Sequence, residues 1–387
     1  MRDLHKIRFL LFILVIFNVT ASGKRNADSA KRRSGNKSKD NGYPTLSSFP
    51  TNYFTETYKK FINLRPVIGI VPMPLDGDKI LSEYPVSWSK EYFGASFVKL
   101  IEMTGGRAVS ISEDLKGRKL RNMLRKVNGV LIPGGDGDLA DSGYSRISKA
   151  ATEYSREQAK KGIPYPVLGI CRGSQMIMQL LSEEEILRPS DSSNITLPLM
   201  FTKEARKSQL FGKAPKDLIR VLKEKALTFN AHIYSALYEN FKKHPELTKQ
   251  FRILTTNYDR RGIEFISTYE DKFAPIFGLQ WHPEKSLFMH NPSLAIDHST
   301  FAVTAAQYIA NIFMGLARQN PNQFKTRKDE EKYLLYKNSA VYVGNITETP
   351  YEQVYLFPLY SEKFADRNIE TDKKGNKKKK HKIPMQF

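Results

Sequence analysis

The chain is organised around the stretch Pro166-Val-Leu-Gly-Ile-Cys-Arg-Gly-Ser-Gln175. An apolar run leads to Cys171, which lies between Gly169 and Gly173, and apolar residues at helical spacing follow at once. This pattern predicts a buried strand, a sharp turn and a helix, with the cysteine on the turn. The two glycines let the backbone bend and let the helix approach the strand. The N-terminus of the helix directs free N–H groups and a positive dipole end at the sulfur, which favours the thiolate.

Cys171 is the only cysteine among the 387 residues of the chain. It therefore cannot form an intramolecular disulfide, and a single thiol makes a poor metal site. The alternative to a reactive thiol is an inert cysteine packed in the core. The Gly-x-Cys-x-Gly frame favours a nucleophile over that alternative.

Short apolar strands alternate with helical patterns through the first half of the chain. Strands are predicted at 67–71, 107–111, 127–132 and 166–170, and helices at 92–103, 113–126 and 147–161. This alternation predicts one α/β domain with a central, mostly parallel sheet and helices on both faces. The functional loops of such sheets lie at the carboxyl ends of the strands. Both the glycine-rich loop 133–138 and Cys171 are expected at that edge.

A thiol nucleophile needs a base, and the base needs a partner that orients it. Among the seven histidines, His282 follows the apolar strand predicted at 275–280 and so reaches the same sheet edge as Cys171. Pro283 ends the strand, and Glu284 is close enough in the chain to hold the imidazole tautomer. The residues thus predict Cys171 as nucleophile, His282 as base and Glu284 as its orienting carboxylate. A structural histidine is the alternative for His282.

The elbow, together with the later motif Gln280-Trp-His-Pro-Glu284, resembles the class I glutamine amidotransferase superfamily, which has a flavodoxin-like fold. Within it, the stretches Asn128–Gly135, Leu254–Asn257 and Val343–Thr347 resemble the γ-glutamyl hydrolase family. The resemblance implies a secreted, lysosomal or vacuolar enzyme that hydrolyses folylpoly-γ-glutamates. It also implies that His232 lies near the substrate.

Two positions depart from the family pattern. Arg172 stands where the family commonly has leucine, and Gln175 stands where it tends to have an acidic residue. Three roles are open for the Arg172 side chain: it favours the thiolate, it contacts a carboxylate of the substrate, or it points outward.

The expected reaction is attack of Cys171 on a γ-glutamyl carbonyl, followed by hydrolysis of the thioester. The oxyanion needs preorganised donors, and the backbone N–H groups of Arg172 and of Gly134 or Gly135 are the candidates. Neither a metal nor another cofactor is expected. Hydrolysis of a different γ-glutamyl amide and a non-catalytic secreted binding protein are the alternatives.

The ends of the chain carry much of the net charge of +21. Residues 1–23 have the basic and apolar regions of a secretory signal peptide, and residues 24–62 are expected to form a basic, disordered linker. We expect the catalytic domain at residues 63–360 and a basic, disordered tail at 361–387. Secretion makes Asn194 and Asn345, each in an Asn-x-Thr sequon, candidate glycosylation sites. A small-molecule substrate is expected as the partner, with no nucleic acid or membrane, and the chain is compatible with a homodimer.

Overall fold

The computed structural model describes residues 62–75, 89–182, 184–345 and 350–359. The predicted signal peptide, nearly all of the basic linker and the basic tail lie outside these described residues. Those three assignments therefore stay predictions, as do the boundaries of the domain.

The described strands are β1 (Val67–Ile70), β2 (Met73–Pro74), β3 (Glu91–Gly94), β4 (Arg107–Ser110), β5 (Gly129–Ile132), β6 (Val167–Ile170), β7 (Leu187–Leu197), β8 (Met200–Phe201), β9 (Thr228–Ala236), β10 (Phe251–Tyr258), β11 (Glu264–Asp271), β12 (Ile276–Leu279), β13 (Val341–Tyr342) and β14 (Gln353–Phe357). Eight of them form one central sheet, in the order β4-β1-β5-β6-β12-β11-β10-β8. The strands from β4 to β12 in this order pair in parallel, whereas β11, β10 and β8 extend the sheet by antiparallel pairing.

The helices lie in two layers. The described α-helices are α1 (Ala95–Glu102), α2 (Gly117–Leu124), α3 (Gly143–Ala159), α4 (Arg172–Gln179), α5 (Lys216–Glu224), α6 (Tyr238–Lys242), α7 (Pro245–Gln250), α8 (Pro283–Phe288), α9 (Thr300–Ala317) and α10 (Arg327–Glu330). The described part of the chain also contains two short 3₁₀ helices, at Lys203–Lys207 and Leu335–Lys337. The connection from β1 to β4 and the connection from β4 to β5 run in opposite directions across the sheet. The right-handed crossover that parallel strands adopt therefore places α1 on one face and α2 on the other. Accordingly α3 contacts α2 and α4, whereas α8 contacts α1 and α9. The predicted α/β architecture is confirmed.

Two smaller sheets were not predicted. One has the order β13-β14-β3-β2 and the other pairs β7 with β9. The helix predicted from Tyr92 begins only at Ala95, since β3 occupies Glu91–Gly94 and pairs with β14. A partner so distant in the chain overrides the local helical periodicity.

Helix α9 is the one helix among the described residues that is long and apolar enough to cross a membrane. Half of this 18-residue segment is buried inside the protein. Ala306, Ile309 and Phe313 are among its buried residues, and the helix contacts α1, α5 and α8. Its apolar composition is therefore explained by packing in the core.

Candidate active site

Cys171 lies on a sharp turn at the carboxyl end of β6. Its φ of +51° and ψ of −108° place a non-glycine residue in a sparsely populated conformation, directly before the first residue of α4. Such strain is typical of a nucleophile elbow, in which a turn between strand and helix presents the side chain above the sheet edge. The residue is only 7% exposed. The predicted strand–turn–helix geometry is thus present at the predicted cysteine.

The two glycines of the elbow are required by close backbone packing. A Cβ atom on Gly169 would lie 2.6 Å from the carbonyl carbon of Gly173. A Cβ atom on Gly173 would overlap the carbonyl oxygen of Ile132 in the neighbouring strand β5. Helix α4 can therefore approach the sheet only because both residues lack a side chain.

His282 and Glu284 meet beside the elbow. Strand β12 pairs in parallel with β6, Leu279 facing Ile170, and so brings His282 to the edge where Cys171 lies. The Nδ1 atom of His282 lies 2.7 Å from Oε1 of the fully buried Glu284. Burial lowers the pKa of His282, but the Glu284 carboxylate and a hydrogen-bonded Cys171 outweigh it and raise that pKa to about 9. The site therefore favours an imidazolium next to the thiol.

The glycine-rich loop after β5 closes the other side of the cysteine. A Cβ atom on Gly134 would lie 2.9 Å from Cε1 of His282 and 3.0 Å from Cβ of Cys171. Gly135 has a φ of +141°, which disfavours any residue with a side chain. The backbone of this loop thus lies against both the thiol and the imidazole, where the predicted oxyanion donors are needed.

Arg172 is the first residue of α4. Its backbone N–H is therefore one of the first-turn groups that have no acceptor within the helix. Its side chain does not point outward. Nε donates to the carbonyl of Gly137 at 2.8 Å, and Nη1 donates to Oε1 of Gln175 at 3.3 Å. Of the three roles left open for this side chain, the outward orientation is therefore wrong.

His232 lies on β9 and is almost completely buried. Its Nδ1 is 3.1 Å from the carbonyl of Tyr234 and 3.3 Å from Oγ of Ser190, and its Nε2 is 3.3 Å from Oδ1 of Asn230. Burial and the nearby charge of His282 lower the pKa of His232 to about 3. The structure thus places His232 within electrostatic range of His282, as a neutral and hydrogen-bonded side chain.

Two further polar residues of the site were not singled out from the sequence. Nε2 of Gln280 lies 3.8 Å from Sγ of Cys171. Lys285 is only 4% exposed, and its Nζ donates to the carbonyl of Pro350 at 3.2 Å. The same Nζ lies 5.7 Å from the ring centroid of Phe229 and 6.0 Å from that of Tyr351. No local pattern indicates that Lys285 is buried, because a lysine is rarely buried without a partner and its partners here are distant in the chain.

Burial lowers the pKa of Lys285, whereas the charges of Glu284 and Cys171 favour its protonated form. The amino group of Lys285 therefore lies within electrostatic range of the nucleophile. Among the described residues, no group of three or more His, Cys, Asp or Glu could hold a metal ion.

Both candidate glycosylation sites are exposed. Asn194 donates from Nδ2 to the carbonyl of Ser293 at 3.1 Å and accepts from the N–H of Ala295 at 2.7 Å. Asn345 is exposed in a turn, and Thr347 of its sequon lies outside the described residues. Glycosylation at these two positions stays a prediction.

Comparison with known proteins identifies the family. The profile described as peptidase C26 matches residues 66–284. The chain belongs to the peptidase C26 family. One relative is the γ-glutamyl hydrolase of Mus musculus, which is 38% identical over 76% of this chain and 90% of its own length. The γ-glutamyl hydrolase of Homo sapiens is 36% identical, with the same two coverages.

Relatives in peptidase C26 extend beyond mammals. γ-Glutamyl hydrolase B of Dictyostelium discoideum is 32% identical over 76% of this chain and 84% of its own length. Among solved structures, the glutaminase domain of Trypanosoma brucei CTPS with bound acivicin is 17% identical, with a TM-score of 0.40 over 68% of this chain and 98% of that one. The sequence-based prediction of a hydrolase in the γ-glutamyl hydrolase family is confirmed by the curated relatives.

Proposed function

We propose that this protein hydrolyses the γ-glutamyl amide bonds of folylpoly-γ-glutamates through a thioester on Cys171. The observation that carries the proposal is the buried pair of His282 and Glu284, 2.7 Å apart, beside a cysteine on a strained elbow. An inert core cysteine would need neither a strained backbone nor a charged imidazole next to it. Membership of peptidase C26 agrees with this chemistry.

Acylation begins with attack of the Cys171 thiolate on the γ-carbonyl carbon, which forms a C–S bond and moves an electron pair onto the oxygen. Backbone N–H groups of Arg172 and of Gly134 or Gly135 would stabilise that oxyanion. The imidazolium of His282 then donates its proton to the leaving amine as the C–N bond breaks. The raised pKa of His282, about 9, keeps this proton available at neutral pH.

Deacylation reverses these roles. The neutral imidazole that is left takes a proton from water, which attacks the thioester and restores the thiolate and the imidazolium. Glu284 holds Nδ1 of His282 throughout, so that Nε2 is the nitrogen available for proton transfer.

The proposed substrate is a polyanion, and the site offers a buried lysine for it. Lys285 lies within electrostatic range of Cys171, and its Nζ donates to one carbonyl, that of Pro350. As far as the described residues go, the rest of the amino group is left for hydrogen bonding to a carboxylate of the glutamyl group. His232, neutral and buried beside His282, would contribute shape and hydrogen bonding to this pocket.

The predicted signal peptide supports entry into the secretory pathway, with secretion or delivery to a lysosome or vacuole as the destination. The substrate would then be a small molecule met outside the cytosol. This part of the proposal depends on the N-terminal sequence alone.

The test compares wild-type protein with Cys171→Ala on a folate pentaglutamate and on an α-linked glutamyl peptide. We expect turnover of the γ-linked substrate alone, and its loss in the variant. Since the chain has one cysteine, iodoacetamide must add a single mass increment to the wild type and none to the variant. Wild-type turnover by Cys171→Ala would refute the mechanism, and equal cleavage of the α-linked peptide would refute the substrate class.

A further inference from the structure

The proposed oxyanion hole is built from two separate pieces of chain. One piece is the elbow, which supplies the backbone N–H of Arg172. The other is the loop 133–138, which supplies Gly134 and Gly135 from the end of the neighbouring strand β5. A donor stabilises an oxyanion only when it lies within about 2.7–3.1 Å of that oxygen, so the distance between the two pieces must be fixed.

The glycines of this loop have no side chains with which to hold it in place. Pro133, the first residue of the loop, is held by Tyr144, a fully buried residue whose hydroxyl donates to the carbonyl of Pro133 at 2.7 Å. The hydroxyl of Tyr351 reaches the carbonyl of Gly134 at 3.4 Å, which is a long hydrogen bond. Neither contact joins the loop to the elbow.

The side chain of Arg172 makes that connection. Its Nε donates to the carbonyl of Gly137 at 2.8 Å, beyond the two glycines, while its own backbone is the start of α4. Its Nη1 donates to Oε1 of Gln175, one turn later in the same helix, at 3.3 Å. The planar guanidinium is thus oriented by the helix and held against the loop.

We propose that Arg172 is a positioning residue whose guanidinium clamps the loop 133–138 to the nucleophile elbow and so sets the spacing between the two halves of the oxyanion hole. The proposal rests on the function proposed above, because it assigns the clamp to the tetrahedral step of that reaction. The side chain does this without touching the substrate, and its backbone N–H is unaffected by substitution.

The alternative role for Arg172 is that its positive charge favours the thiolate of Cys171 directly. The clamp and the charge effect differ in what they change. The clamp acts only on a species that carries an oxyanion, whereas the charge effect changes every reaction of the sulfur. Gln175 has contacts of its own, since its Nε2 donates to the carbonyl of Tyr234 at 2.7 Å and to Oε1 of Gln280 at 3.3 Å. It should therefore stay in place when Arg172 is substituted, so that the substitutions distinguish the clamp from the charge effect.

The test uses Arg172→Leu, which removes the clamp and the charge, and Arg172→Lys, which keeps the charge without the guanidinium fork. Two probes are applied to each variant. An N-acylated glutamate γ-semialdehyde adds reversibly to the thiolate, forming a C–S bond while its oxygen takes the electron pair as an oxyanion. Iodoacetamide alkylates the same sulfur by displacing iodide and forms no oxyanion.

For Arg172→Leu we expect kcat to fall about 10- to 100-fold with little change in KM, less than the about 10²- to 10³-fold loss of a whole oxyanion donor. The inhibition constant of the aldehyde should rise by the same factor as kcat/KM falls. The pH profile of iodoacetamide alkylation should not move. Arg172→Lys should resemble Arg172→Leu, because one ammonium cannot reproduce the fork.

Arg220→Leu, on the exposed face of α5, is the matched control and should leave all of these measurements unchanged. The proposal is overturned if Arg172→Leu binds the aldehyde like the wild type, or if the alkylation profile shifts and Arg172→Lys restores it. A normal thermal melt shows that a variant is folded, and should Arg172→Leu melt early, Arg172→Lys carries the same comparison. Loss of the proposed function itself would appear differently, as turnover that survives Cys171→Ala.

Discussion

The Nδ1 atom of His282 lies 2.7 Å from Oε1 of Glu284, with a single proline between the two residues in the chain. His282 caps the N-terminus of α8 with φ −108° and ψ 90°, and Pro283 is the first residue of that helix. The carboxylate in the first turn folds back to the ring, at the helix end where a negative charge is favourable. The orientation of the imidazole is therefore fixed within three residues of sequence.

The same local arrangement occurs a second time at His244-Pro245-Glu246. His244 caps α7 with φ −105° and ψ 95°, and its Nδ1 lies 3.1 Å from Oε1 of Glu246. This second pair has an exposed carboxylate and lies outside the candidate active site. It serves as a matched control for the first.

Glu284→Gln should lower the pKa of His282 from about 9, because the carboxylate is the main group that raises it against burial. The thiolate–imidazolium pair would then be lost at a lower pH, so the alkaline limb of kcat/KM should move to lower pH. We expect kcat to fall by about 10²- to 10⁴-fold, the usual contribution of a positioned acid–base group. The pH–rate profile between pH 5 and 10 is the measurement, and Glu246→Gln should leave it unchanged. An alkaline limb that stays in place would contradict the assignment.

Gly134→Ala and Gly173→Ala should fail in different ways. The new Cβ at Gly134 would lie 2.9 Å from Cε1 of His282, so activity should be lost while the melting temperature changes little. At Gly173 the Cβ would overlap the backbone carbonyl of Ile132, which cannot rotate away. That variant should lose about 1–3 kcal/mol or more of unfolding free energy. Thermal melts and kcat on the same preparations separate the two, and equal losses of stability would contradict the distinction.

His232 should remain neutral throughout the working pH range, because burial and the charge of His282 lower its pKa to about 3. Its Cε1–H chemical shift, measured by NMR, should stay constant between pH 5 and 8, whereas exposed histidines titrate there. His232→Gln should lower kcat/KM without moving either limb of the pH profile. A titration of His232 near pH 6 would show that the ring is solvated and differently placed.

Lys285→Met should raise KM for a γ-glutamyl substrate that carries free carboxylates. A hydrogen bond to a charged group contributes about 1.5–3 kcal/mol, which corresponds to a loss in kcat/KM of about 10- to 150-fold. Lys272 also donates from Nζ to a backbone carbonyl, that of Thr248, but on the surface, so Lys272→Met is the control. A loss in kcat at constant KM would indicate instead that Lys285 acts on the thiolate.

Glu91→Gln should stabilise the protein at neutral and alkaline pH. Glu91 is fully buried on β3, and desolvation raises the pKa of its carboxyl from 4.5 to about 8. Since the folded state binds this proton more tightly than the unfolded state, its contribution to stability is complete below pH 4.5 and is lost as the pH rises through 8. Thermal melts of the variant should therefore depend less on pH between 4.5 and 8. A variant that melts below the wild type at pH 8 would contradict the assignment.

The alternation of strands and helices predicted the parallel core of the sheet and its functional edge, because each βαβ unit is specified by nearby residues. The elbow was predicted in the same way from Gly169 and Gly173. The sheet containing β3 and β14 was not predicted, since its strands come together only through pairing between distant segments. For the same reason Lys285 was missed: its burial depends on Phe229, Pro350 and Tyr351, which come from three separate parts of the chain.

Local sequence alone specifies the hydrogen-bonded pair that a histidine and a glutamate form across one proline at a helix start, and the chain contains this pair twice. The tertiary structure places the first of these two pairs beside the cysteine, where the strand before His282 led us to expect it, and not the pair of His244. Parallel pairing of β12 with β6 brings His282 to Cys171, whereas His244 follows the short helix α6 and not a strand of the parallel core. Local geometry depends on a few torsion angles, but the meeting of two segments depends on which strands pair across the whole sheet.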